Sequence, residues 1–305
     1  MRGDPARLEL IAAASLDEAL TLLADASGAW TPIAGGTELM VAHAAGRLVP
    51  RRFLSLGSVH ELRFIRTDGM GDTAASFLSI GGGTTFGEIR RNAVIASEFP
   101  LLAQAAGWIG AIANQNRATL AGNIVNGSPA ADAPPALLVY DAEIELVSRH
   151  GSTTSTRRIR YADFHLGYKQ SLLAADELVF ALHLPRRFGS HLSYQRKVGT
   201  RNAMAITKVG LAVTAKMDDD RIAEIRVAAA SLADRPVRLA KTEAALLGQR
   251  LSPGTCAAAR KALLEEAKPI DDIRSTALYR KSVAANLLDE FLASLPSGLK
   301  TEQTA

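Results

Sequence analysis

Hydrophobic and polar positions along this chain change period several times, and each change marks an element. Leu8 to Ile11 is a short extended run. Ser15 to Ala24 places Leu16, Ala19, Leu20 and Leu23 on one helical face and opens with a Ser15-x-x-Glu18 capping box. Trp30 to Ala34 runs extended into Gly35-Gly36, and Arg52 to Leu56 predicts the next strand. A strand at Leu78 to Ile80 stops at Gly81-Gly82-Gly83, and helices are expected from Phe86 to about Asn92 and around Leu101 to Ala106. From Gly107 to Pro135 the periodicity fades, and so long an irregular stretch within a compact domain reads as functional. Strands follow at Ala142 to Val147, Arg157 to Arg160, Leu178 to Leu184, Leu192 to Lys197, Ile206 to Ala215 and Ile222 to Ala229, with an acidic turn at Asp218 to Asp220. Helical periods close the chain at Leu239 to Leu247, Pro253 to Glu266 and Thr276 to Leu292. Strands followed by helices predict α+β architecture, with helices on one face of an antiparallel sheet.

Composition narrows the class. At 305 residues the chain exceeds what one compact core usually holds, so two or three domains are expected. With 48% hydrophobic and 22% charged residues, disordered and fibrous classes are excluded. The single cysteine, Cys256, excludes a disulfide framework, a cysteine zinc knuckle and any multi-cysteine iron–sulfur cluster held by this chain alone. No apolar run approaches the roughly 20 residues of a membrane span, and Met1 to Leu10 lacks the apolar core of a signal peptide, so a cytoplasmic protein is expected. The net charge of +4 does not imply nucleic-acid binding, because the basic pairs Arg51-Arg52, Arg157-Arg158 and Arg186-Arg187 are scattered and lack interleaved aromatics.

Phosphate-loop, H-E-x-x-H and G-x-S-x-G motifs are absent, and the six histidines show no ligand spacing. Gly81 to Phe86 resembles half of a dinucleotide fingerprint, but Phe86 takes the third glycine's place and the segment reads as a strand-to-helix turn. Ile33-Ala34-Gly35-Gly36-Thr37-Glu38-Leu39 fits an anion cradle better, with bare backbone N–H groups, a hydroxyl at Thr37 and a short helix to follow. Alone, it is equally a glycine turn. Asn114 to Asp132 adds amides, hydroxyls, small residues and one carboxylate in a stretch that reads as a loop without bulky apolar anchors.

These two stretches together resemble the FAD-binding domain of the molybdenum hydroxylases, the family of xanthine dehydrogenase, carbon monoxide dehydrogenase and 4-hydroxybenzoyl-CoA reductase. The pattern A-G-G-T-[DE]-L stands at Ala34 to Leu39, and T-[IL]-[AG]-G-N-[IL]-x-x-x-S-P-x-x-D at Thr119 to Asp132. Similarity continues through Phe164 to Lys169, Glu177 to Val179, Lys197 to Arg201 and Pro269 to Arg280, and Gly167-Tyr168-Lys169-Gln170 is most similar to xanthine dehydrogenase flavin subunits. The resemblance implies an α+β chain with a two-part FAD-binding domain of the vanillyl-alcohol-oxidase/PCMH type (1–57 and 58–189), a C-terminal α+β domain (190–296) and a tail (297–305).

The resemblance also implies roles for individual residues. Ile33, Ala34, Gly35, Gly36, Thr37, Glu38 and Leu39 would wrap the FAD pyrophosphate, with the N–H groups of Gly35, Gly36 and Thr37 as donors. Thr119, Ala121, Gly122 and Asn123 would make a second pyrophosphate and ribityl contact, Ser128 would lie along the flavin side and Asp132 would take a hydroxyl. Ile109 stands where the family often has an aromatic over the ring, so stacking there is not expected. Val179 falls at an apolar contact and Lys197 at the ring's polar edge, the alternative for Lys197 being a strand-end surface lysine. Thr37 occupies the slot of a covalent histidine in related oxidases, which implies non-covalent FAD. A β-branched residue at Gly35 or Gly122 is expected to block FAD while leaving the fold largely intact.

Under this resemblance the chain passes electrons within a heteromer. A small [2Fe-2S] subunit and a large molybdenum-cofactor subunit are its partners, and NAD+ or another acceptor takes the electrons. The alternatives are a carbon monoxide dehydrogenase-type or other aromatic heterocycle hydroxylase flavin subunit, a stand-alone flavin oxidoreductase using Tyr194 or His191, or a nucleotide-binding scaffold without flavin.

Overall fold

The structure, a computed structural model, describes residues 8–25, 29–49, 51–68 and 76–296; the expected tail at 297–305 lies outside them. The first unit runs β1 (Glu9–Ala12), α1 (Leu16–Ala24), β2 (Thr31–Ile33), α2 (Leu39–Ala44) and β3 (Arg52–Ser55). Its strands pair in parallel in the order β1-β3-β2. The Ser15 hydroxyl caps α1 by accepting from the Glu18 N–H at 3.2 Å, and Ala19, Leu20 and Leu23 pack with Trp30, Leu54, Leu62 and Leu178. Leu178 belongs to the next unit, so the two share this small core.

That second unit begins with β4 (Ile65–Asp68) and β5 (Phe77–Gly81). Six helices follow: α3 (Phe86–Arg91), α4 (Ala93–Glu98), α5 (Pro100–Trp108), α6 (Ile112–Gln115), α7 (Leu120–Val125) and α8 (Ala133–Val139). Strands β6 (Glu143–His150), β7 (Thr153–Arg160), β8 (His165–Gly167), β9 (Gln170–Ser171) and β10 (Leu178–Pro185) complete it. Five strands form one antiparallel sheet in the order β4-β5-β10-β6-β7, while β8 and β9 pair separately.

The third unit is a meander, β11 (Leu192–Val198), β12 (Val209–Asp218), β13 (Arg221–Ala230) and β14 (Val237–Arg238), followed by α9 (Ala240–Leu246), α10 (Pro253–Glu266) and α11 (Ala277–Ser294). Alternation along β12 sends Leu211, Val213 and Ala215 into the core shared with α9 to α11. Ala212 of β12 and Ala228 of β13 belong instead to the core of the second unit. The C-terminal sheet is therefore packed on both faces. Among the described residues, no helix is long and apolar enough to cross a membrane.

Gly107 to Pro135, expected to be irregular, instead holds α6, α7 and the start of α8. It also has apolar anchors, since Leu120 and Ile124 are fully buried. Periodicity failed at α8 because Pro134 and Pro135 sit in its first turn, where their missing N–H groups cost no intrahelical bond. All seven of its residues are buried, so there is no polar face to read. The helix lies between the second unit's core and the face of the C-terminal sheet carrying Ala212 and Ala228.

Both ends of α8 meet charge, with the C-terminal domain supplying cations to each. At the far end Asp141, held at φ 49°, accepts from Arg187 at 2.6 Å, Arg226 at 3.1 Å and Arg238 at 2.7 Å. Arg238 also donates to the Leu138 carbonyl at 3.2 Å, an oxygen at the helix C-terminus that accepts from the Asp141 N–H as well. Asp141→Asn keeps the size and tolerates the left-handed backbone, but leaves three guanidinium groups facing a neutral amide. We expect it to lower unfolding stability by about 1–3 kcal/mol, measured by urea denaturation; an unchanged midpoint would show that the three arginines are solvated equally well without the carboxylate.

Candidate nucleotide-cofactor site

The two glycine-bearing stretches, more than 80 residues apart in sequence, meet in space. The Arg117 guanidinium donates through Nε to the Gly35 carbonyl at 3.2 Å, and a Cβ on Gly35 would overlap the backbone carbonyl of Arg117. Gly35 is thus required for the approach of two backbones. Gly36 has φ +71°, the left-handed conformation that turns the chain from β2 into α2. Ile33 ends β2, Ala34 to Thr37 form the half-buried turn, the exposed Glu38 caps α2 in helical conformation and Leu39 begins it. The N–H groups of Gly35, Gly36 and Thr37 form no hydrogen bond with another described residue. Three adjacent unbonded donors on a half-buried turn are what an anionic oxygen cluster needs.

On the facing side, Thr119 caps α7, its Oγ1 accepting from the Gly122 N–H at 3.2 Å. The Leu120 N–H donates to the Thr84 carbonyl, Ala121 to Gly82 and Asn123 to Thr119. The first-turn backbone donors of α7 are therefore spent inside the protein. What remains for a ligand is side-chain chemistry, the Thr119 hydroxyl proton and the Asn123 Oδ1, which is buried without a hydrogen-bond partner among the described residues, beside the open, exposed surface of Gly122. Ser128 accepts from the Ala130 N–H at 3.3 Å in the turn that leads to Asp132. Val179 is buried in the second unit's core, and the approach of its carbonyl to Gly82 leaves no space for a Cβ there. Ile109 caps the C-terminus of α5 beside Trp108 and packs partly buried against the same core.

Asp132 and Lys197, read separately in the sequence, form one unit. The Lys197 ammonium donates to Asp132 Oδ2 at 2.6 Å and to the Trp108 carbonyl at 3.3 Å. Side-chain exposures are 9% for Lys197 and 11% for Asp132, so this is not a surface lysine. Burial pushes the Asp132 carboxyl up, against the opposing pull of the Lys197 ammonium. Sequence reading missed Thr207, whose hydroxyl donates to Asp132 Oδ1 at 2.5 Å, and gave Arg117, inside the Asn114 to Asp132 stretch, no individual role. No local signal marks either, although Thr119 followed by Gly122 carries the side-chain cap that announces α7. Tyr194, weighed as an acid or base, packs on Phe291 in the C-terminal core, and His191 lies against Phe188 and 3.5 Å from Glu224.

A separate recess of about 440 Å³ is lined by Arg63, Phe64, Glu88 and Arg91 among others. Arg63 and Glu88 already pair there at 2.8 Å, and the recess has no cluster of unbonded backbone donors. The donor turn, the orphaned Asn123 oxygen and the open glycine surface suit a diphosphate-bearing cofactor with hydroxyls, and FAD meets that description.

Comparison with known proteins agrees. Residues 6–187 match the model for the FAD-binding domain in molybdopterin dehydrogenase, and residues 194–295 match the carbon monoxide dehydrogenase flavoprotein C-terminal domain. The chain belongs to this family of molybdenum hydroxylase flavin subunits, whose members are components of oxidoreductases. It is 31% identical to the xanthine dehydrogenase FAD-binding subunit of Escherichia coli O157:H7, over 88% of this chain and 89% of that protein. It is 27% identical to the carbon monoxide dehydrogenase medium chain of Hydrogenophaga pseudoflava, over 94% and 96%. A solved carbon monoxide dehydrogenase from Hydrogenophaga pseudoflava, lacking the Mo-pyranopterin moiety of its molybdenum cofactor, superimposes with a TM-score of 0.85 at 25% identity over 95% of this chain and 96% of that one. The two-domain FAD-binding fold expected from the motifs is the fold observed.

The expectation that Gly35 and Gly122 respond alike to substitution needs correction. A side chain at Gly35 meets the Arg117 backbone, so Gly35→Val is expected to lower the unfolding midpoint of the FAD-free protein as well as its FAD retention. Gly122 is exposed, and an added Cβ meets only Thr119 Oγ1 at 3.0 Å. Gly122→Val is expected to weaken FAD binding at least tenfold while the FAD-free midpoint stays within a few degrees. Unaltered FAD titration of Gly122→Val would remove α7 from the site.

Proposed function

We propose that this chain is the FAD-carrying electron-transfer subunit of a heteromeric, xanthine dehydrogenase-like molybdenum hydroxylase, working in the cytoplasm. It takes electrons from [2Fe-2S] clusters of a small partner subunit, a large partner holds the molybdenum cofactor, and NAD+ or another acceptor receives the electrons. The observation that supports the reading is the contact of the Gly35 turn, with its unbonded Gly35, Gly36 and Thr37 donors, with Arg117 and Ala118, which lead directly into Thr119, Gly122 and Asn123. FAD, when bound, supplies two-electron and one-electron redox chemistry in one cofactor. The protein then need supply only binding, orientation and electrostatics.

In this reading the parts 1–57 and 58–189 close on FAD from two sides, and the domain 190–296 contributes Lys197. The Gly35 to Thr37 amides and the Thr119 hydroxyl take the pyrophosphate, and Asn123 and Ser128 take the ribityl side. Val179 and Ile109 provide apolar walls, and the free lone pairs of Asp132 accept a hydroxyl. The Lys197 ammonium places positive charge where electron density on a reduced ring is favoured. Thr37, in the slot of a covalent histidine, leaves FAD held non-covalently. With one cysteine, the chain has no means of holding an iron–sulfur cluster alone, so single-electron relays belong to a partner.

Purification from the native source provides the test. The expected product is yellow, releases free FAD on denaturation and carries two further chains, one with iron and sulfide and one with molybdenum. Robust turnover of small oxidisable substrates by this chain alone would overturn the subunit reading.

A further inference from the structure

The Asp132 carboxylate is held from a direction that the cofactor motifs do not include. Thr207, 1% exposed, lies in the segment entering β12. Its hydroxyl donates to Asp132 Oδ1 at 2.5 Å while the Lys197 ammonium donates to Oδ2 at 2.6 Å. Rotation of a carboxylate about Cβ–Cγ is soft and broad, so one donor on one oxygen leaves the plane free. Two donors, one on each oxygen, fix it. A carboxylate has about four acceptor positions; with two engaged, the others stay available in a fixed direction.

Thr207 is itself anchored deep in the C-terminal domain. Its carbonyl accepts from the Ser231 hydroxyl at 2.7 Å, and the Ser231 N–H donates to the Pro129 carbonyl at 2.8 Å, three residues before Asp132. The Ser231 carbonyl in turn faces the Arg280 guanidinium at 3.5 Å, and Arg280, 1% exposed, pairs with Asp272. An unbroken polar chain therefore runs from α11 to Asp132. Local packing alone does not call for it, since a valine at 207 would fill the same space without placing a hydroxyl against a buried acid.

We propose that Thr207 is a positioning residue for the FAD site, its hydroxyl locking the plane of the Asp132 carboxylate and thereby the placement of the Lys197 ammonium, with Ser231 and Arg280 holding Thr207 in register. This rests on the placement of FAD beside Asp132 and Lys197. The C-terminal domain then sets the geometry of the cofactor's surroundings as well as covering them.

The test uses the full chain, titrated with FAD and followed by the visible absorption of bound flavin and by thermal unfolding without FAD. Thr207→Val, which keeps the shape and removes the hydroxyl, is expected to weaken FAD about tenfold and to shift the visible band of the bound flavin. Thr207→Ser, which keeps the hydroxyl and removes the methyl group, is expected to restore both to within about twofold. Asp132→Asn and Lys197→Met serve as references. If neither reference variant alters FAD affinity or spectrum, the placement of FAD there is wrong. If they do and Thr207→Val behaves as wild type, or if Ser fails as Val does, the positioning role is overturned and the placement stands. Should Thr207→Val not fold, Ser231→Ala carries the test one bond further along the chain; several-fold weaker FAD binding supports the inference and unchanged binding overturns it.

Discussion

The arrangement depends on a helix that has no exposed side. Ala133 to Val139 is buried throughout between the second unit's core and the C-terminal sheet, so its backbone ends must find partners in protein rather than in water, as must the nearly buried Asp132 at its head, while Asp141 at its tail stays partly exposed. The molecule places acid at both flanks and draws most of the matching cations, Lys197, Arg226 and Arg238, from across the interface. Lys197 meets Asp132 at the head, and Arg187, Arg226 and Arg238 meet Asp141 at the tail. At the nearly buried Asp132–Lys197 pair, removing one partner costs more than the pair gains by forming, because the remaining charge is left with little solvent. The interface is consequently fixed in register at both ends of a seven-residue helix.

That register determines what reaches the proposed cofactor site. The glycine turn after β2 and the capped start of α7 belong to the N-terminal two-thirds of the chain and meet through a backbone approach that only glycine at position 35 permits. The ionic part of the site arrives from the other side of α8, carried by β11 and by the segment entering β12. Backbone donors for an anion, side-chain acceptors for hydroxyls and a buried ammonium thus come from three separate stretches. None of these groups is arranged as a general acid or base, which accords with a protein whose redox chemistry resides in a bound cofactor.

Much of this is legible in the amino-acid sequence. The alternation of β12 and β13 around Asp218 to Asp220 and the long helical periods of α10 and α11 announce themselves by period and turn chemistry. The two motif stretches named the family from their residues alone. Other features left no periodic signal. Helix α8 was hidden by paired prolines and by burial on every face, and α7 by small and polar residues that suit a loop equally well. The Asp132, Lys197 and Thr207 cluster joins residues separated by 65 and 75 positions, and pairings of that kind are written in topology rather than in local pattern. Gly35 was found by motif, but for an incomplete reason: besides making room for a ligand, it makes room for Arg117.

The central claim is that FAD sits between the Gly35 turn and α7, against Asp132 and Lys197. Hydrogen–deuterium exchange on the full chain with and without FAD tests it directly. The account predicts slowed exchange at the Gly35, Gly36 and Thr37 amides, which have no partner among the described residues, together with slowing across 119–132 and 197–207. Slowing confined elsewhere, such as the recess beside Arg63 and Arg91, with the Gly35 turn exchanging at its FAD-free rate, would contradict it.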